Sequence, residues 1–135
     1  MNETTNSIKL TSEGYILVEL VGVQDYLSME SVGKECKEIA TRLHYEKKPV
    51  LGLIDFTRDT TFSPGTNKAA MQALEEINYD KAAMYGSNPV LLGVTKAMVA
   101  ALGKSETTKV FSSKQEALAW LMIRDPLFGY GKKSS

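Results

Sequence analysis

The sequence has very little of the chemistry that disulfide frameworks, metal sites and catalytic triads need. It contains one cysteine and one histidine, Cys36 and His44, among 135 residues. A lone cysteine cannot form an internal disulfide, and one histidine with no cysteine or acidic cluster beside it makes a poor metal site. We therefore predict no metal, no cofactor and no catalytic residue, and we interpret Cys36, on an apolar helical stripe, as a core residue.

Net charge and long apolar runs are absent as well. Sixteen basic residues balance sixteen acidic ones, so no strong field favours nucleic acid as a partner. No apolar run approaches the roughly 20 residues of a transmembrane helix. The first residues, MNETTNSIKL, lack the charged-then-apolar layout of a signal peptide. These observations favour a protein of the cytoplasm without a transmembrane segment.

No linker, repeat or low-complexity stretch divides the chain, so residues 1–135 are predicted to be a single domain. Its core is expected at about residues 8–124, followed by an irregular tail at 125–135. Hydrophobic periodicity changes along the chain between the period of strands and that of helices. Strands are predicted at 8–11, 15–21, 50–56, 81–85 and 108–111. Helices are predicted around 32–43, at 67–78, at 89–102 and after Ser113.

Turn and cap residues mark the ends of these elements. Gly22 ends the second strand, and Ser28 or Ser31 is the expected cap of the first helix. Asn88 is the expected cap of the third helix, with Pro89 in its first turn, and Ser113 begins a capping box at the fourth. The order β-β-α-β-α-β-α-β-α predicts an α/β fold with a mostly parallel sheet and right-handed crossovers. The opening hairpin adds one antiparallel edge strand.

The segment "LIDFTRDTTFSPGT" (53–66) is the strongest candidate site. It follows an interior strand of a parallel sheet, where ligands of open α/β sheets bind. Asp55 is expected to close the strand and accept hydrogen bonds from loop amides. Ser63 is expected to cap the next helix, with Pro64 at its first position. The alternative is that Thr60, Thr61, Ser63 or Thr66 carries a phosphate near the positive end of the helix dipole.

A second candidate site is apolar. Methionine and aromatic side chains can form adaptable pockets for apolar ligands, although at helical spacing they also simply fill a core. Phosphate-binding glycine loops and the nucleophile-elbow pattern of hydrolases are absent from the sequence. The residues considered for an apolar pocket are Met71, Met84, Met98, Trp120 and Phe128. Met122 and Tyr130 are further methionine and aromatic residues of the same kind.

Three segments together resemble the SpoIIAA-like family. "PVLGLIDFTRDTTFSP" (49–64) is similar to its strand-Asp-loop-Phe-Ser segment, and "KAAMYG" (81–86) to its penultimate strand. "KVFSSKQEALAWL" (109–121) resembles its terminal strand and capped helix. The resemblance covers about residues 10–123. It implies the fold of STAS domains, which is related to that of CRAL-TRIO-type lipid carriers.

The resemblance also implies functions. Anti-sigma-factor antagonists of this fold present an Asp-Ser-Ser-Gly-like turn whose phosphorylation abolishes partner binding. The equivalent turn here, residues 62–66, lacks the Asp-Ser pair and contains Pro64. The leading hypothesis is a non-enzymatic homodimer that binds a regulatory protein or a small apolar, lipid-like ligand, with peripheral membrane contact also considered. The alternatives are a phospho-regulated switch at Ser63 or Thr66 and a small enzyme using Asp55 as general acid or base.

Overall fold

The computed structural model describes residues 6–123 of the chain. The predicted order of strands and helices is confirmed over that range, while residues 125–135, the predicted tail, lie outside it. The elements are β1 (Ser7–Leu10), β2 (Tyr15–Gln24), α1 (Tyr26–Tyr45), β3 (Leu51–Phe62), α2 (Thr66–Glu76), β4 (Lys81–Gly86), α3 (Pro89–Ala101), β5 (Thr108–Phe111) and α4 (Lys114–Leu121).

The strands form one five-stranded sheet in the order β1-β2-β3-β4-β5. β1 pairs with β2 in the antiparallel direction, and every other pair is parallel. The mostly parallel sheet with an antiparallel edge strand is therefore confirmed. The carboxyl ends of β2, β3 and β4 point to the same edge of the sheet, from which α1, α2 and α3 begin.

Helices cover both faces of the sheet. Ile16 and Val18 of β2 and Ile54 of β3 face α1, α2 and α3, and all are at most 8% exposed. Leu53 and Ala83, both 0% exposed, face the opposite way and pack against α4. Burying a leucine of this kind contributes about 1.5–3 kcal/mol. Because both faces are buried, β3 begins with the apolar run Leu51–Ile54 and β4 continues after Lys81 as an apolar run, which is typical of interior parallel strands.

The expected ends of β2 and β3 were wrong. Both strands continue beyond Gly22 and Phe56, and they remain paired as far as Gln24 and Phe62. Gly22 adopts a left-handed conformation, with φ of 76°, but the ladder resumes after it through a register shift. β3 carries more residues than β2 in this stretch, as in a β-bulge. Residues 57–62, predicted as a loop, are therefore strand.

The predicted helix caps were partly right. Asn88 caps α3, with Pro89 at its first position, and Ser113 caps α4. The cap of α1 is Asp25, and Ser28 supplies the other half of a capping box with it, so Ser28 and Ser31 were wrong as caps.

Ser63 does not cap α2. That helix begins at Thr66 after Gly65, which has φ of 93° and therefore a conformation that favours glycine. In the described part of the chain, no side chain bonds the first amides of α2 as a cap.

Candidate functional site

The predicted site loop is attached to the end of β2 through one carbonyl group. Gln24 O accepts hydrogen bonds from Ser63 N at 2.9 Å, Ser63 Oγ at 2.9 Å and Thr66 Oγ1 at 2.7 Å. The serine that sequence reasoning assigned to a helix cap is thus bound to a neighbouring strand instead. The turn at residues 63–65 is held between the end of β2 and the start of α2.

Gln24 was missed by sequence reasoning, although the structure places it at the centre of this corner. Its side chain is 1% exposed and bonds Asn6, Ser28 Oγ at 2.9 Å and the backbone oxygen of Val21 at 3.0 Å. A buried amide needs such partners, because an unsatisfied one costs about 1–3 kcal/mol. The sequence indicates its role only by placing a polar residue shortly after Gly22 and directly before Asp25, the cap of α1.

The four hydroxyls considered for phosphorylation differ in accessibility. Thr66 is 0% exposed and Thr60 is 2% exposed, with its hydroxyl donating to Leu20 O. Thr61 is exposed on the strand, and Ser63 is partly buried beside the exposed residues Pro64 and Gly65. Of the two predicted switch residues, Ser63 is therefore the more exposed, and its Oγ donates to Gln24 O.

Exposed apolar side chains flank this turn. Val23, directly before Gln24, is 71% exposed, and Leu27, in the first turn of α1, is 72% exposed. Gln24, which lies between them in the sequence, joins the end of β2 to Ser63, and Val23 pairs with Thr61, two residues before Ser63. We call Val23, Leu27 and the turn at 63–65 the β2–α2 corner.

Asp55 lies apart from this corner. It is in the middle of β3, on the face toward α4, and its Oδ1 accepts from Thr57 N at 2.7 Å and Thr57 Oγ1 at 2.6 Å. The predicted bond to a following amide is therefore present. Burial, followed by the charge of Asp55 and a hydrogen bond with it, raises the pKa of Tyr85. Asp55 is thus engaged in the sheet, and it does not join Ser63 and Thr66.

The residues proposed for an apolar pocket do not meet in one place. Met84 and Met98 line an internal cavity of about 60 Å³ between the sheet and the helices α1, α2 and α3. Met71 packs against the same core without lining the cavity. Trp120 is on the opposite face of the sheet, 5.8 Å from Phe111 between ring centroids. Phe128 lies outside the described residues.

The structure also bears on the predictions about metal ions, membrane spans and Cys36. Within residues 6–123, no cluster of His, Cys, Asp and Glu is suited to holding a metal ion. Across the same residues, no helix combines the length and apolarity of a bilayer span. Cys36 is 2% exposed, and burial raises the pKa of its thiol to about 11, a rise that a hydrogen bond with Tyr79 partly offsets.

Comparison with known proteins gave matches in structure. No family model and no curated protein matches the sequence. An uncharacterised DUF3478-family protein from Shewanella loihica, described as having a SpoIIAA-like fold, matches with a TM-score of 0.58 and 21% identity, over 90% of this chain and 98% of that one.

Two structures of SpoIIAA also match. The anti-sigma factor antagonist SpoIIAA in its unphosphorylated form has a TM-score of 0.56 and 11% identity, over 85% of this chain and 94% of that one. The Bacillus cell fate determinant SpoIIAA in its phosphorylated form has a TM-score of 0.50 and 13% identity, over 86% and 98%. At these identities the likeness concerns the fold, and this chain has the SpoIIAA-like fold of STAS domains.

Proposed function

We propose that this chain is a non-enzymatic module that binds a partner protein at the β2–α2 corner. The observation that supports this most is the exposure of Val23 and Leu27, at 71% and 72%, beside a turn held by three hydrogen bonds to Gln24 O. A rigid backbone with protruding apolar side chains loses little entropy on binding and gains by removing apolar surface from water.

Single exposed apolar residues are common on protein surfaces, so the position of these two is what matters. They lie at the carboxyl ends of parallel strands, where α/β folds place their binding sites. One structural neighbour is described as an anti-sigma factor antagonist, a protein that acts on another protein. That description supports partner binding as the role of this fold here as well.

The test compares Leu27→Asp with Tyr45→Asp. Leu27 lies at the start of α1, whereas Tyr45 lies at its far end and is 87% exposed, so both substitutions add the same charge to an exposed site on one helix. Proteins captured from the source cells by each variant are quantified against wild type. Loss of a partner with Leu27→Asp and its retention with Tyr45→Asp is the expected result. Equal capture by all three proteins would refute the proposal.

Partner binding is proposed to be regulated by phosphorylation at Ser63. Ser63 is more exposed than Thr66, and a phosphate on it would lie near the start of α2, where the helix dipole favours negative charge. One neighbour is a SpoIIAA structure in a phosphorylated form. Ser63→Asp should abolish partner capture and Ser63→Ala should preserve it. Unchanged capture by Ser63→Asp would remove this regulation from the proposal.

The second candidate function is the binding of a small apolar ligand. The internal cavity favours it, but a volume of about 60 Å³ is far below that of a lipid, which narrows the ligand to a small molecule. Native mass spectrometry of gently purified protein should show a co-purifying species.

We still predict that the protein is a cytoplasmic homodimer without enzymatic activity. Peripheral membrane contact also stays a prediction. Light scattering coupled to gel filtration tests the dimer.

A further inference from the structure

The internal cavity and a groove on the surface share part of their walls. The groove runs between α1 and α2 and encloses about 620 Å³. Met29, Gly33 and Ala73 line both the groove and the cavity. The two spaces therefore lie on opposite sides of the same three residues, at the point where α1 crosses α2.

We propose that the cavity is a binding site for an uncharged apolar molecule of a few heavy atoms, which enters from this groove past Met29. The site deepens the apolar-ligand candidate given above and rests on it. Partner binding at the β2–α2 corner does not depend on it.

The wall between groove and cavity is thin because the helices approach closely. A Cβ atom at Gly33 would lie 3.1 Å from the Cβ of Ala73, so neither position leaves room for a larger side chain. Met29 is the remaining shared residue, and it is 7% exposed. Its unbranched side chain has several rotatable bonds, which allows it to swing without moving the helix backbone. Met29 is therefore the residue that opens the passage.

The chemistry of the walls defines the ligand class. Among residues 6–123, no charged side chain lines the cavity. The Thr95 hydroxyl already donates to Leu91 O at 2.8 Å, and Cys36 and Tyr79 form a hydrogen bond with each other. A charged or strongly polar ligand would lose its hydration without gaining new partners, which is costly. An apolar ligand meets no such penalty.

The volume sets the size. A cavity of roughly 150 Å³ accepts benzene or xenon, whereas this one has about 60 Å³. A molecule of a few heavy atoms fits without rearrangement. Met84 and Met98, which also line the cavity, allow modest expansion through changes of rotamer.

Xenon is a suitable probe, because it is uncharged, small and polarisable. The full chain is labelled with ¹³C in its methionine methyl groups and followed by NMR as xenon pressure rises. The methyl signals of Met29, Met84 and Met98 should shift in a saturable way. Met71 and Met122 do not line the cavity and provide internal controls. Absence of any shift, or equal shifts of all five signals, would overturn the site.

The entrance is tested by Met29→Ala against Met71→Ala, which removes the same atoms from a position outside the cavity. The exchange rate of xenon at Met84 and Met98 should rise at least severalfold in Met29→Ala and stay at the wild-type value in Met71→Ala. If Met29→Ala does not fold, Met29→Leu should change the exchange rate of xenon at least severalfold. Identical behaviour of the variants at positions 29 and 71 would contradict the entrance.

Discussion

Gly52 of β3 lies directly beneath the ring of Tyr79, and adding one methyl group there should destabilise the protein. A Cβ at Gly52 would lie 2.5 Å from Tyr79 Cε1 and 3.1 Å from Cδ1 and Cζ. Carbon atoms prefer separations of about 3.5–4.0 Å, so the ring must move by roughly 1 Å. Overpacking of this kind costs about 1–3 kcal/mol.

Part of that cost is offset, because replacing a strand glycine by alanine regains about 0.5–1 kcal/mol of conformational entropy. We therefore expect Gly52→Ala to lower the free energy of unfolding by about 1–2 kcal/mol. The ring cannot move freely, because it packs against the main core and its hydroxyl bonds Cys36. Gly52→Ala should therefore also alter the wall of the internal cavity.

Gly93→Ala is the matched control. Gly93 lies within α3, and a Cβ there would meet no atom of the described part of the chain within 4 Å. Because alanine is a better helix former, this change should stabilise the protein by about 0.5–1 kcal/mol. Urea unfolding followed by circular dichroism measures both variants, and the two shifts should have opposite signs.

A second comparison isolates the ring of Tyr79. In a Tyr79→Leu background, Gly52→Ala should cost much less than it does in the wild type, because the obstructing ring is gone. The reasoning is refuted if Gly52→Ala is as stable as the wild type, or if its cost is the same in both backgrounds.

Two further predictions concern the corner and the core. Thr66→Val should lower the free energy of unfolding in urea by about 1 kcal/mol, because the buried hydrogen bond to Gln24 O is lost. Thr95→Val should lower it by less than about 0.5 kcal/mol, because the Thr95 hydroxyl only bonds a carbonyl within its own helix. Equal losses would contradict the role of Gln24. Burial raises the pKa of Cys36 from 9.0 to about 11, so the folded state holds this proton more tightly than the unfolded state, and stability should fall between about pH 9 and pH 11. This contribution, up to about 3 kcal/mol, should be missing from Cys36→Ala in parallel unfolding curves, whose remaining fall comes from Tyr79 and Tyr85, since burial raises their pKa values as well. An identical pH dependence in both proteins would contradict it.

The fold was predictable because local patterns and global packing agree along most of the chain. Periodicity and cap chemistry alone predict the four residues of β5, the cap of α3 at Asn88 and the buried stripe of α1. The extension of β3 did not follow from them. Residues 57–62 are polar and exposed in part, and they are held as strand by pairing with β2, a contact between distant parts of the sequence.

The position of the candidate site could be predicted from the sequence, but its hydrogen bonds could not. The segment 53–66 does contain the turn at the sheet edge, but Ser63 bonds Gln24 instead of capping α2. Sequence spacing also could not separate Met84 from Trp120, because a residue's side of the sheet depends on how each helix crosses over. The structure places them on opposite faces.

The most direct measurement of the central claim is a titration of the purified chain with the protein that it captures. Burying Leu27 in an interface would contribute about 1.5–3 kcal/mol, so Leu27→Asp should weaken the Kd by at least about tenfold. Tyr45→Asp should change the Kd less than about twofold. Equal Kd values for the wild type and Leu27→Asp, with circular dichroism showing both to be folded, would contradict partner binding at the β2–α2 corner.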